Sequence, residues 1–534
     1  MAVRHVPDGA APRREPAPWL PWPSALVAGL TQAAALAWPG PSGLHGQPLW
    51  WLQILSLALL ARLLLAAGGA RRAALLSWLF ATSWLAGTFW WLFISMHSYG
   101  GLAAPLAILA VLGLAAFLGS YYAAASACFW ALRPANRALA ALFFSALWLL
   151  AELARGQWWT GFPWGAGGYA HAEGPLAVLA RWLGVYGISL VAALLAMGLA
   201  QWRRADLRRA RWWAALAVLV LAWAGLAAQR HCAIEGCGAP VAQHDPMTLA
   251  LLQGNIPQDE KFQPGSGVPM ALQWYHDQLR AADAALVVAP ETAIPLLPQQ
   301  LAPGYLQAIS ERYTRPRGDQ ALLLGIPLGS MELGYTNSVL GFAPGLERPY
   351  RYDKHHLVPF GEFVPPFFRW FTEMMNIPLG DFDRGGLNQA SLTWAGERIA
   401  PNICYEDLFG EELGARFRDP QTAPTIMANL SNIGWFGDTV AIDQHLAISR
   451  LRALEFERPM VRATNTGATA VIDHRGQVTY RLPAYQRGVL RAQVQGRGGA
   501  VTPYAWWVAR FGLAPLWALG LAVAAAAWLL RRKY

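Results

Sequence analysis

Three short stretches carry residue types that together could run nucleophilic acyl chemistry. In ALVVAPET an apolar run delivers Glu291 at its end, where Pro290 turns the chain. In RYDKHHLVPFGEFVPP, Lys354 stands in a polar segment ahead of an aromatic, proline-rich loop, and in RIAPNICYED a second apolar run ends at Cys404. A nucleophile on a strand-to-helix turn is exposed at the sheet edge, with backbone N–H groups aimed at the reacting atom. The thiol needs a base, and Glu291, a carboxylate in mostly apolar surroundings, is suited to take its proton. An ammonium at Lys354 would stabilise the thiolate and then the oxyanion of a tetrahedral intermediate. His355 and His356 beside it raise the question of a metal. No partner cluster at ligand spacing accompanies them, so neither a metal nor another cofactor is expected.

Those three residues need strand ends to hold them. Strand-like runs read at Thr248–Gln253, Ala284–Ala289, Gln320–Ile326, Asn337–Phe342, Arg398–Ile403, Thr425–Ala428 and Ala468–Asp473. The last run pairs with Gln477–Leu482 through His474-Arg475-Gly476, a hairpin signal. Helical periodicity predicts helices over 269–282, 302–313 and 440–456. In the third, Ile442, Leu446, Ser449 and Ala453 share a face while Asp443, Arg450 and Glu457 point away, so Arg450 and Arg452 read as a solvated surface. Cys128 reads as inert packing in an apolar run, and a bridge between Cys232 and Cys237 is open. Cys404 is left as the unpaired, reactive thiol.

Around this α/β segment the chain is oily. Of 534 residues, 55% are hydrophobic and only 14% charged, against about 25% charged in a soluble chain. The formal net charge of +10 splits sharply: residues 231–510 hold 23 Lys and Arg against 27 Asp and Glu, leaving +14 on the remainder. The basic excess therefore lies in the apolar part, which argues for membrane orientation and against nucleic acid as a partner. Apolar runs at 19–38, 49–67, 74–95, 102–124, 137–154, 176–200, 212–229 and 512–530 approach the roughly 20 residues that cross a bilayer. Arg13 and Arg14, Arg71 and Arg72, Arg133 and Arg137, the Arg203–Arg211 cluster, and Arg531 to Lys533 all fall on one side of that alternation, while 39–48 and 96–101 carry no Lys or Arg. The positive-inside rule makes that side cytoplasmic. The one exception is Arg155, at the start of the outside connector 155–175. The expected plan is a cytoplasmic tail at 1–18, a seven-helix membrane domain at 19–230, an extracytoplasmic α/β domain at 231–510, an eighth helix at 511–530 and a cytoplasmic tail at 531–534.

On these motifs the chain resembles the carbon–nitrogen hydrolase (nitrilase) superfamily and, within it, the apolipoprotein N-acyltransferase family. PET, DKHHLVPFGEFVP and CYE carry the resemblance, with GFPW at 161–164, LLQGNIPQ at 251–258, NLSN and WFG at 429–437, and QHLAISRLRALEFERPMVRATNTGATAVID at 444–473. The resemblance implies eight transmembrane helices with a nitrilase-like αββα sandwich. It makes Glu291 the general base, Lys354 the oxyanion-stabilising cation and Cys404 the acyl-accepting nucleophile. It implies supporting roles for Glu362, Glu406 and Tyr405, and a lipid-shaping role for Trp435, Phe436 and Trp164, the last also readable as an interfacial anchor. The family often has Trp where Phe262 stands and an Asp-Ala pair where Ile433-Gly434 stand. Both departures bear on lipid preference rather than on the reaction.

The implied reaction is ping-pong, without cofactors, in a multi-pass protein of the bacterial inner membrane with a periplasmic catalytic domain. A membrane phospholipid, typically phosphatidylethanolamine, acylates Cys404. The thioester then passes to the α-amine of an S-diacylglyceryl cysteine on a diacylated apolipoprotein, the last step of lipoprotein maturation. A site complete in one chain suits a monomer. Residues 361–386, rich in Phe, Trp and Met, read as a mobile lid at the bilayer surface. The alternative is a membrane-tethered amidase or nitrilase, which gives the preceding spans no role.

Overall fold

The computed structural model describes residues 20–41, 43–208, 210–235, 245–365 and 381–531. Cys237, nearly all of both expected tails and most of the expected lid lie outside the described residues.

All eight apolar runs contain helix. They form α1 Pro21–Ala34, α2 Trp50–Leu65, α3 Ala70–Thr88, α4 Ala104–Leu132, α5 Arg137–Gln157, α6 Ala180–Ala200, α7 Ala210–Glu235 and, at the far end, Ala514–Leu530. Leu and Ala dominate them, the residues with the lowest cost in a helix. Asn136 caps α5 by accepting from the N–H groups of Ala138 and Leu139 at 2.9 and 3.2 Å. Among the described residues, three helical stretches are long and apolar enough to cross a membrane, Ala104–Leu132, Arg137–Thr160 and Pro175–Ala200. Two bent pairs raise that number to five. The fourteen and sixteen residues of α1 and α2 give only about 21 and 24 Å at 1.5 Å per residue, short of the expected full spans.

Arg155 departs from the connector reading. It sits in the last turn of α5 and is fully buried. It donates to the Tyr122 hydroxyl at 2.9 Å and to the carbonyls of Phe162 and Trp164 at 2.7 and 2.8 Å. Its charge is spent on folding the GFPW loop, so it never belonged to the orienting arginines.

The α/β part is two six-stranded sheets face to face. One sheet has the order β12-β1-β2-β3-β4-β5 and the other β11-β10-β9-β8-β7-β6. In the first sheet lie β1 Met247–Gln253, β2 Leu286–Ala289, β3 Ala321–Ser330, β4 Gly334–Phe342, β5 Tyr350–Asp353 and β12 Gly488–Val494. In the second lie β6 Leu392–Trp394, β7 Glu397–Ile403, β8 Ile426–Ser431, β9 Met460–Thr464, β10 Ala470–Ile472 and β11 Val478–Arg481. The centres of both sheets are parallel, β1-β2-β3 and β7-β8-β9, and buried on both faces, which is why they read as continuous apolar runs. Leu249, Leu251, Leu286, Val288 and Leu323 meet Ile399, Ile403, Ile426, Leu430 and Val461 between the sheets. Ala250, Leu252, Val287 and Leu322 face outward onto α8 Gly267–Ala281 and α9 Tyr305–Tyr313.

The outer layer of the second sheet is α10 Ala441–Phe456, and here the expected solvated face is wrong. Every residue of α10 except Asp443 is buried, because its far side packs on the membrane helices in one continuous core. Arg450 pairs with Glu173 and donates to Gly476 O at 2.7 Å. Arg452 pairs with Glu455 at 2.9 Å, and Glu457 pairs with Arg181 at 2.7 Å. The chain leaves the sandwich through α11 Pro503–Phe511, which bends by 94° into α12 Ala514–Leu530.

Candidate active site

Glu291, Lys354 and Cys404 each follow the end of a strand, β2, β5 and β7 respectively. Cys404 opens a turn of 3₁₀ helix at φ 52°, left-handed backbone that a non-glycine residue adopts only when its surroundings hold it. Two donors hold its carbonyl: Asn429 Nδ2 and His445 Nε2, both at 3.2 Å. The His445 tautomer follows, since Nδ1 faces an Arg462 N–H at 3.2 Å and must accept.

The carboxylates are arranged around Lys354. Its ammonium, fully buried, lies 2.9 Å from Glu362 Oε1 and 3.3 Å from Glu291 Oε1. Burial alone would depress it, but Glu291 and Glu362 together hold it above the ordinary lysine value. Asn337, which the motifs did not flag, bridges the same two oxygens from its amide at 2.7 Å each. The Asn432 N–H donates to Glu291 Oε2 at 2.8 Å. Burial first, and then the Glu291 charge, push the Cys404 thiol up to about 12, with Lys354 pulling the other way. The resting site thus holds a protonated thiol beside a hydrogen-bonded carboxylate and a fixed cation, a set able to exchange one proton during attack on a carbonyl.

The expected supporting residues divide by what they touch. Glu362 contacts Lys354 and accepts from Val358 N–H at 2.8 Å, whereas Glu406 is committed to backbone. Glu406 Oε1 accepts from His355 and His356 N–H at 2.7 and 3.2 Å, and Oε2 from Ile403 N–H and the Tyr352 hydroxyl at 2.6 and 2.8 Å. It ties the Lys354 loop to the Cys404 turn. His355 and His356 are spent locally, on Gly385 O at 2.8 Å and Glu412 at 2.9 Å.

Segments that connect the apolar helices build the other wall. The Tyr405 hydroxyl donates to Gly161 O at 3.3 Å. Trp164 is 3% exposed and donates to Gln444 Oε1 at 2.9 Å, so it is interior wall and not an anchor in the interface. Trp91 donates to the same oxygen at 3.2 Å and packs on Phe436 with centroids 4.1 Å apart. Trp435 sits farther out between Tyr99 and Phe262, at 5.9 and 6.5 Å. Gln444, Trp91, Asn337, His445 and the buried Lys261 were missed, because a single residue whose partners lie on distant segments carries no spacing signal.

Comparison with known proteins agrees with this division of the chain. The family model described as Apolipoprotein N-acyltransferase N-terminal domain matches residues 33–198, and that described as Carbon-nitrogen hydrolase matches 248–502. An apolipoprotein N-acyltransferase of Verminephrobacter eiseniae is 66% identical over 508 residues, covering 92% of this chain and 93% of that protein. Proteins of the same name from Ralstonia nicotianae and Bordetella bronchiseptica are 46% and 43% identical, covering 91% and 94% of this chain and 90% and 96% of theirs. An α/β sandwich sharing its core with apolar helices, in a chain matched along nearly its whole length by these relatives, places the chain in the apolipoprotein N-acyltransferase family.

Proposed function

We propose that this protein transfers a fatty acyl chain from a membrane phospholipid to the N-terminal α-amine of S-diacylglyceryl lipoproteins, with Glu291, Lys354 and Cys404 as its catalytic residues. The observation that carries the reading is the junction itself: the Cys404 turn and the Lys354–Glu291 pair sit beside a wall made by membrane-side residues Trp91, Gly161 and Trp164.

In the first half-reaction Glu291 takes the Cys404 proton as Sγ attacks the ester carbonyl. The oxyanion forms beside Lys354, and on collapse Glu291 returns the proton to the departing lysophospholipid oxygen, leaving a thioester. In the second, the α-amine attacks the thioester, Glu291 takes its surplus proton, and the thiolate leaves and is reprotonated. An apolar, membrane-side wall protects the thioester from water between the two steps. Phosphatidylethanolamine is the proposed donor, a diacylated apolipoprotein the acceptor, and the working unit a monomer.

The topology is part of the proposal. All eight apolar helices cross the bacterial inner membrane, the arginine-bearing connectors and both termini lie in the cytoplasm, and 231–510 lies in the periplasm. Helices α1 and α2 fit as spans if adjoining apolar residues complete the crossing.

The test is intact-mass measurement after incubation with phosphatidylethanolamine. An acyl adduct on the wild type, absent in Cys404→Ala and discharged by a diacylated peptide, is expected. An adduct discharged by water as fast as by peptide would favour a hydrolase, and no adduct at all would refute the acyl-enzyme.

A further inference from the structure

We infer that Lys261 is a positioning residue that holds the Pro290–Thr292 turn and so aims the Glu291 carboxylate for the attack by Cys404. The inference rests on the reading of Glu291 as base and Cys404 as nucleophile.

Lys261 is 1% exposed, on the loop between β1 and α8. Its Nζ donates to Glu291 O at 3.1 Å and to Thr292 Oγ1 at 3.2 Å, both neutral oxygens. An ammonium buried without an ion pair is costly, so a position that keeps one must gain from its charge. Thr292 has φ 46°, a left-handed conformation unfavourable for a β-branched side chain. Lys261 clamps that turn on both sides of the Glu291–Thr292 peptide. Next to it, Phe262 stacks on Trp435, so the clamp also joins the base to the outer aromatic wall.

The charge is coupled to the chemistry. Burial lowers the Lys261 ammonium to about 8, and the groups that oppose this are Glu291 and Cys404. The other charged or titratable groups facing Glu291 are Lys354 after β5, Glu362 of the next loop, and Cys404 after β7. Asn337 and Asn432 add neutral donors. On the loop of Lys261 itself, Asp259 is exposed and Glu260 partly exposed. Lys354 meets the Glu291 carboxylate, whereas Lys261 meets the backbone that carries it.

The experiment uses full-length protein in detergent with phosphatidylethanolamine, following acyl-Cys404 formation as the lipid concentration is varied. No acceptor peptide is present, so only the first half-reaction is read. Lys261→Met removes clamp and charge, Lys261→Gln keeps a hydrogen-bond donor without charge, and Lys261→Arg keeps charge. Without the clamp the Glu291 carboxylate is no longer aimed at Cys404, so the expected loss in Lys261→Met is about 100-fold in the maximal acylation rate, with the lipid concentration at half-maximal rate unchanged, and a smaller loss of at least about tenfold in Lys261→Gln. Lys261→Arg returns the rate towards wild type. Should Lys261→Met fail to fold, Lys261→Gln carries the test. Near-wild-type maximal rates in the folded Met and Gln variants, or a loss seen only as weaker lipid saturation, overturn the assignment. Absence of adduct on the wild type would instead overturn the acyl-enzyme reading beneath it.

Discussion

Glu406→Gln distinguishes a carboxylate that holds the site from one that moves protons. Glu406 is 3% exposed, and each of its oxygens accepts two hydrogen bonds. A Gln amide of the same shape accepts at one end only. Its NH2 will turn towards Tyr352, whose hydroxyl can rotate to accept, because the other end faces the two fixed N–H groups of His355 and His356. That choice leaves the Ile403 N–H, 2.6 Å from Oε2 in the native protein, pointed at a donor. One charge-assisted hydrogen bond is lost and a buried N–H is left unpaired. Together these cost about 2–4 kcal/mol, at roughly 1.5–3 for the bond and 1–3 for the orphan with overlap between them. Ile403 immediately precedes Cys404, so relief of the clash moves Cys404, the proposed nucleophile. A misplacement of about 1 Å costs about 100-fold in rate. The expected result is a lower melting temperature in detergent and acylation of Cys404 slowed by about two orders of magnitude, with the pH profile in its wild-type place. A variant that melts like the wild type but shows a displaced pH limb would refute the brace and make Glu406 a proton-transfer group.

Further outcomes follow from the same geometry. With its thiol pushed up to about 12, Cys404 is ionised to about one part in 10⁴ at pH 8, against about a quarter for an ordinary thiol. Its greater intrinsic nucleophilicity recovers only part of this, so iodoacetamide should alkylate it about 100-fold more slowly than a free cysteine peptide, with the rate rising from pH 7 to 10. Glu291→Gln removes a repelling charge and should speed that alkylation while abolishing acylation, and a flat pH profile would contradict the raised thiol. Gly325→Ala places a Cβ 2.1 Å from Pro290 O and 2.8 Å from Glu291 Cα. Backbone must move, and acylation should fall at least about 100-fold with far-UV circular dichroism unchanged; near-normal turnover would show that the Glu291 turn tolerates displacement. Gln444→Leu removes the acceptor of two buried indoles and the donor to Thr88 O at 3.0 Å. It should destabilise by about 2–4 kcal/mol, read as a lower melting temperature together with slower acylation; an unchanged melting temperature would count against the Gln444 junction.

β2 and β7, the strands before Glu291 and Cys404, were legible because each is a short apolar run ended by a chemically distinctive residue, and parallel strands buried on both faces leave that trace. β5, β6, β9 and β12 left a weaker one. In Tyr350–Asp353 and Gly488–Val494 the apolar residues are interrupted by partly or fully exposed Arg and Gln, while Met460–Thr464 carries a buried Arg462 whose partner is Asp407 at 2.9 Å. A charge that is paired across the fold looks, along the chain, like a charge facing water. The misreading of α10 has the same origin. Its arginines and glutamates meet partners from distant segments, Glu173 and Arg181 among them, and no periodicity within the helix announces them.

That helix also shows why the eight apolar segments are more than an anchor. In a free α/β sandwich the outer helix would turn a polar face to solvent. Here α10 has no such face, since membrane-side Trp84, Trp91, Trp164 and Tyr169 share one core with Ile442, Leu446 and Ile448. Arg155 folds the Phe162–Trp164 loop, Trp164 is fixed by Gln444 on α10, and His445, the next residue, holds the Cys404 carbonyl. The Cys404 turn is therefore positioned from the side of the apolar helices as well as from its own sheet. A chain cut down to 248–502 would keep Glu291, Lys354 and Cys404 but expose the buried apolar side of α10 and release the second support of the Cys404 turn.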